Sequence, residues 1–231
     1  MSFGIEVFND FGITLIDQDF SNYATYSSGT LSSLGVFYDV MSTPFYYFEI
    51  FIPAITGSIL FLRPSTLPGD FFLVSGGGAG EVARIGSSTS SPIKFKILSP
   101  SSGFSIPATY GLNIFKPDGA LAFSSDYEYM VLSSTVSAVV NADTTVSIFG
   151  SLKERYISIN PAARSGWVNG TDETGFHYLG DLYYIVYMAT NESWDLYLNW
   201  YSYFYGQFSG GSMTGGLIGM NDTRQFLVME T

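Results

Sequence analysis

The chain has 231 residues with 25 Gly, 20 Phe and 17 Tyr, one His and no Cys. Twenty acidic against nine basic side chains leave a net charge of −11, which argues against nucleic acid as a partner, because neutralising phosphates takes clustered Arg and Lys. The absence of Cys removes disulfides, thiolate nucleophiles and Cys-ligated zinc; scarce Lys, Glu and Ala beside abundant aromatic, Ser and Thr residues point to an all-β fold.

Strands are expected first at 3–8 and 13–17, as a hairpin spanning Gly4-Ile5-Glu6-Val7-Phe8-Asn9-Asp10-Phe11-Gly12 and its return. No Lys or Arg precedes Arg63, so a standard secretory signal with its charged start is not expected. Strands follow at 34–40, 45–52 and 58–63. The apolar run from Pro44 to Leu62 is roughly long enough for a membrane helix, but Glu49 and Pro53 interrupt it, and its aromatic and β-branched content suits two buried strands better.

Next come strands at 71–75 and 81–85 around Gly76-Gly77-Gly78-Ala79-Gly80. This formally matches G-x-G-x-x-A, yet a dinucleotide site needs a helix here and a carboxylate about twenty residues on. Gly86 and the Ser/Thr run stop any helix, and no Asp or Glu occurs between Glu81 and Asp118. A hairpin loop or close backbone contact explains these glycines better. Ser87 to Pro92 reads as a flexible loop, and Lys94-Phe95-Lys96, the densest basic stretch, as one face of a strand at 93–98. Ser99 through Pro107 is rich in turn residues and is the expected boundary, giving β-sandwich-like units at 1–103 and 108–231, or one large antiparallel sandwich with short hairpins.

The second unit opens on strands 110–115 and 120–124, where the first hairpin recurs 107 positions on as Gly111-Leu112-Asn113-Ile114-Phe115-Lys116-Pro117-Asp118-Gly119. Pro117 supplies the fixed φ for a type I turn, Asp118 suits the next position, and Gly119, like Gly12 in the first copy, takes the positive φ that closes the turn with a bulge. Four of sixteen aligned positions are identical, which fits either a duplication or two ordinary hairpins. Further strands are expected at 128–132, 135–140, 144–149, 155–159, 176–179, 182–190, 194–205 and 225–229, with the spacing of a sandwich or barrel.

Asp181 to Phe208 is the strongest aromatic block. Alternation places Trp194, Leu196, Leu198 and Trp200 on one face and Asp195, Tyr197, Asn199 and Tyr201 on the other. The first is a core face; the second, continued by Tyr203 and Tyr205, is a solvated face, a subunit interface or a sugar-stacking platform. Catalysis lacks parts. His177 stands alone between aromatics without a G-x-S-x-G elbow, and carboxylate pairs such as Asp172/Glu173 or Asp17/Asp19 sit in turn-like stretches, where capping or solvated roles are usual. Asp17 and Asp19 have no specific calcium spacing, and the sequons at Asn169, Asn191 and Asn221 matter only in a secreted eukaryotic protein. No enzyme, cofactor or metal centre is expected.

The pattern Tyr110-Gly111-Leu112-Asn113-Ile114-Phe115, a turn with Gly119, then Leu121-Ala122-Phe123-Ser124-Ser125, with its counterpart from Phe3 to Asp17, resembles the hairpin repeated in small β-rich tail proteins of tailed bacteriophages. The match covers about 35 residues, and Ser124 stands where the pattern closes in Asp. The resemblance implies a virion component of the tail tip, baseplate or fibre, reaching the outside by cell lysis. Its partners would be other tail proteins and further copies of itself in a trimer or symmetric ring, with no membrane insertion. A subunit that hides aromatic surface against neighbours fits an acidic, Cys-free β protein. The alternative from another class is a carbohydrate- or receptor-binding module in which Trp167, Trp194 and Trp200 stack on sugar rings, with a host-surface glycan as ligand.

Overall fold

The structure, a computed structural model, describes residues 6–8, 14–17, 22–38, 44–105, 111–129, 131–139, 144–147, 154–159, 164–171, 177–190, 193–206 and 223–230. Among these the regular structure is antiparallel β, with one 3-10 turn at Ser101–Gly103. A six-stranded sheet runs in the spatial order β12 (Val131–Val139), β18 (Thr223–Glu230), β14 (Arg155–Ile159), β6 (Ile59–Pro64), β9 (Ile93–Pro100) and β3 (Tyr23–Leu31). An eight-stranded sheet runs β13 (Thr144–Ser147), β17 (Ser193–Gly206), β16 (His177–Met188), β7 (Gly69–Ser75), β8 (Val82–Ser87), β5 (Pro44–Phe51) and β4 (Gly35–Tyr38), with β15 (Arg164–Thr171) pairing β16 off that path. Two separate hairpins join β1 (Glu6–Phe8) to β2 (Thr14–Asp17) and β10 (Asn113–Phe115) to β11 (Leu121–Ser124).

The two large sheets pack as a sandwich because each turns a row of apolar side chains toward the other. In β6, Leu60 and Leu62 enter the inter-sheet core while Phe61 turns to the opposite face, where it meets Leu98, Tyr156 and Met229. The inter-sheet core joins Leu60, Leu62, Ile97 and Val228 of one sheet to Phe48, Phe71, Ile85 and Val186 of the other. Pro44–Phe51 and Ile59–Pro64 are strands on either side of Pro53, and no helix among the described residues is long and apolar enough to cross a membrane.

The sheets run on across the stretch at 99–107, each taking one half of its strands from residues before it and the other half from residues after it. Ladder β6–β14 pairs Leu62 with Ile157, and ladder β7–β16 pairs Phe71 with Val186, so each large sheet takes strands from both sides of that stretch. Turn composition marks where the chain changes direction; which edges then pair is decided by long-range burial, which composition does not record.

Many glycines here serve aromatic rings. Gly29, Gly35 and Gly86 lie directly across the ladder from Phe95, Tyr47 and Phe72, and each ring rests on its glycine. A Cβ on Gly86 would sit 2.2 Å from Cζ of Phe72, itself buried in a satellite cluster with Phe45 and Ile185. A ring over a glycine covers backbone that a bare strand would leave open, which reconciles high glycine content with stable strands. The Ser87 to Pro92 segment is also less free than its composition suggests. Buried Asp70 accepts hydrogen bonds from the Ser87 hydroxyl (2.9 Å), the Ser88 amide (3.0 Å) and the Ser88 hydroxyl (3.0 Å).

Candidate functional site

Four places carry chemistry or exposed surface. The first is the second hairpin. Gly119 has φ +84° and its amide donates to the Lys116 carbonyl (2.9 Å), while the Lys116 amide donates to the Ala120 carbonyl (2.8 Å) and Asp118 caps the Ala120 amide (2.9 Å). The turn is therefore type I with a glycine bulge around Pro117 and Asp118. The hairpin is docked: the Asn22 side chain and the Ser101 hydroxyl both donate to the Ala122 carbonyl, at 3.0 and 2.6 Å. Gly12 lies outside the described residues; β1 and β2 pair as Glu6↔Asp17, Val7↔Ile16 and Phe8↔Thr14.

The second place is the aromatic block on β16 and β17. Register sets Trp194 opposite Met188, Leu196 opposite Val186 and Tyr197 opposite Ile185, and continues through Trp200↔Leu182 and Tyr201↔Asp181. Met188 and Val186 belong to the inter-sheet core and Ile185 to the opposite cluster. Beyond Ser202 the ladder skips Tyr203, resuming with Phe204↔Leu179 and Tyr205↔Tyr178. A bulge switches the alternation that sequence reading carries on unchanged, so Tyr203 and Tyr205 do not simply continue the phase of Tyr197 and Tyr201. Trp167 is on β15, opposite Asp181 in register.

The third place is the turn between β7 and β8. Gly76, Gly77 and Gly80 have φ of 72°, 105° and 81°, a left-handed backbone that side chains resist. No helix starts there, as a dinucleotide-binding turn would need; the glycines shape a turn between two strands. Glu81 folds back to accept from the Gly78 amide (2.9 Å), and the Ile52 amide donates to the Glu81 carbonyl (2.9 Å). Beside this turn lies a recess of ≈ 540 Å³ walled by Leu73, Ser75, Gly76, Val82 and Arg84. Glu81 also lines it; Val82 of its wall is 43% exposed, and Phe51, opposite Val82 in the ladder, is 58% exposed. Arg84 is held by Glu49 at 2.8 Å.

The fourth place is the outer face of the six-stranded sheet. Lys94 and Lys96 project there from β9 beside Arg63 of β6 and meet two carboxylates. Glu154 takes the Lys94 ammonium at 2.6 Å and lies 3.9 Å from Arg63, while Glu128 takes Lys96 at 2.7 Å. Lys96 also stands 5.9 Å from the Tyr156 ring centroid. Both lysines are hydrogen-bonded to a carboxylate, whereas Arg63 has only the 3.9 Å approach of Glu154, and its buried Nε and Nη1 have no hydrogen-bond partner among the described residues. Hydrogen bonding from Lys94 holds the Glu154 carboxyl below its ordinary range, despite some burial. Burial pushes the Tyr156 phenol up to about 12, with the Glu154 charge adding to the effect.

A phenol whose folded pKa is raised keeps its proton while the unfolded chain loses it, so its contribution is intact below pH 10 and lost as pH rises towards 12. Tyr156→Phe should therefore flatten the fall in stability between pH 10 and 12 while shifting neutral-pH stability by only about 1 kcal/mol. Parallel urea titrations at pH 7 and pH 11 measure this; an equal alkaline loss in both proteins would refute it.

The remaining sequence candidates are scattered. His177 opens β16 and Asp17 ends β2, while Asp19, Asp172, Glu173, Asn191 and Asn221 lie outside the described residues. Asn169 falls on β15. Among the described residues no three His, Asp or Glu side chains are placed to hold a metal ion. Sequence reading missed the carboxylates of the fourth place, because Glu128 and Glu154 are distant in sequence from the lysines they neutralise. Comparison with family models, curated proteins and solved structures finds no match to this chain.

Proposed function

We propose that the protein is a structural subunit of a bacteriophage tail, at the tail tip, baseplate or fibre, working by interface burial and not by catalysis. The observation that carries this reading is the doubled hairpin, since its form resembles the repeat of β-rich tail proteins and it occurs at 6–17 and 113–124 with the same strand register. The exposed Phe51–Val82 pair, whose Val82 lines the β7–β8 recess, supports burial by a neighbour, because opposed large apolar side chains left open to solvent suit a protein contact. The net charge of −11 keeps the free subunit soluble before it assembles.

Complementation tests the contact. Phe51→Asp with Val82→Asp leaves the isolated subunit folded, since both side chains are already exposed, and should cut its incorporation into particles at least tenfold. Normal incorporation would remove this corner from the interface.

A further inference from the structure

We infer that the chain is a tandem duplication folded as an internal dimer, in which 6–100 and 113–230 are two copies of one module paired edge to edge about a twofold axis. Register gives the first support. The hairpins pair as Glu6↔Asp17, Val7↔Ile16 and Phe8↔Thr14 and, 107 positions on, as Asn113↔Ser124, Ile114↔Phe123 and Phe115↔Leu121, with the irregularity at the same step. The strand that follows each hairpin repeats the match. β3 skips one residue between Thr25 and Ser27 against β9, and β12 skips one between Leu132 and Ser134 against β18, again 107 positions on. Bulges interrupt ladder bonds and sit at particular positions. Two irregularities recurring in one frame are not what unrelated hairpins produce.

Pairing order repeats as well. The first module contributes β3–β9–β6 and β5–β8–β7; the second contributes β12–β18–β14 and β13–β17–β16. Only β4 and β15 are left without counterparts.

The ladders joining the modules show the symmetry. The matched bulges align Leu98 with Met229; since Leu98 lies opposite Ile59 and Met229 opposite Tyr156, Leu60 corresponds to Ile157 and Leu62 to Ile159. The observed ladder pairs Leu60 with Ile159 and Leu62 with Ile157, the exchange a twofold axis produces in an isologous interface. The corresponding residues Ile59, Tyr156, Leu98 and Met229 also gather in one cluster. The other sheet joins the modules through β7–β16. The edge of β6 and β7 thus fits a second copy of its own module.

Charge breaks the symmetry. Arg63, Lys94 and Lys96 all belong to the first module, and Glu128 and Glu154 to the second. The positions in β18 matching Lys94 and Lys96 are Gln225 and Leu227, and the position matching Glu154 is Gly57. Two first modules facing each other would bring these cations together without their carboxylates, so the divided charges favour pairing of unlike modules within one chain.

The test keeps the whole chain and adds a protease site within 105–110. After cleavage the fragments should co-elute as one 1:1 species of the parent's size. Glu154→Lys should weaken that association about tenfold, and Lys94→Glu added to it should restore it to within about threefold. Fragments that part as two folded monomers after cleavage of the parent, or an association indifferent to Glu154→Lys, would overturn the internal dimer.

Discussion

Phe71→Ala should destabilise the whole molecule by roughly 3–5 kcal/mol, lowering the midpoint of thermal unfolding by on the order of 10 °C in a single transition. Phe71 is fully buried in the inter-sheet core and lies opposite Val186 in the ladder that ties the first half of the chain to the second. Truncation removes apolar area and leaves a cavity that strands from both halves line and cannot easily collapse. Because the core draws on Phe48 and Ile85 on one side of the 99–107 stretch and on Val186 and Val228 on the other, the loss cannot stay local. Calorimetry on wild type and variant checks this. Two separable transitions, only one of them shifted, would show that the halves unfold as independent sandwiches.

Gly76→Ala should cost roughly 3–5 kcal/mol, whereas Gly119→Ala should cost only about 1–2 kcal/mol. Both glycines have positive φ, 72° and 84°, so both variants carry the left-handed penalty of an L side chain. They differ in surroundings. A Cβ on Gly76 would lie 2.0 Å from the Val82 carbonyl oxygen, which is backbone and can yield only if the β7–β8 turn moves; around Gly119 nothing lies within 4 Å. The Gly76 variant should also disturb the recess beside that turn and the exposure of Val82. Denaturant titrations of the two variants against wild type measure the difference. Equal costs would mean that the β7–β8 turn relaxes freely and that Gly76 serves only its dihedral.

Local sequence made much of this fold legible, and the limits are physical. The apolar run in Ile59–Pro64, alternation in Ile93–Pro100, the break at Pro53 and the Pro117-Asp118-Gly119 turn each encode structure within a few residues. β3 was hidden because Tyr-Ala-Thr-Tyr-Ser-Ser-Gly-Thr-Leu is rich in turn formers; what makes it a strand is a ladder to β9 along its length, interrupted by one bulge, with Phe95 lying over Gly29. β15 was hidden in the same way, with Gly166 and Gly170 within its span. Expected breaks at 133–134 and 180–181 are spanned by the continuous strands β12 and β16, where a bulge and a partner strand absorb the irregularity. Pairing between distant edges, as in β6–β14, has no local signature at all. The same holds for Glu154, which becomes meaningful only once folding sets it beside Lys94 and Arg63.

Among the functional candidates, the hairpins were legible because turn chemistry is local, whereas the β7–β8 recess and the Phe51–Val82 pair required three strands to be brought together. The glycine run pointed to that turn without revealing the apolar pair beside it.

The most direct measurement is quantitative mass spectrometry of phage particles purified from a lysate of cells expressing this gene with the rest of its genome. The account predicts this chain at a fixed, reproducible number of copies per particle, retained through density-gradient purification. Particles that are complete and infectious without it, while the chain stays in the soluble fraction, would contradict the account.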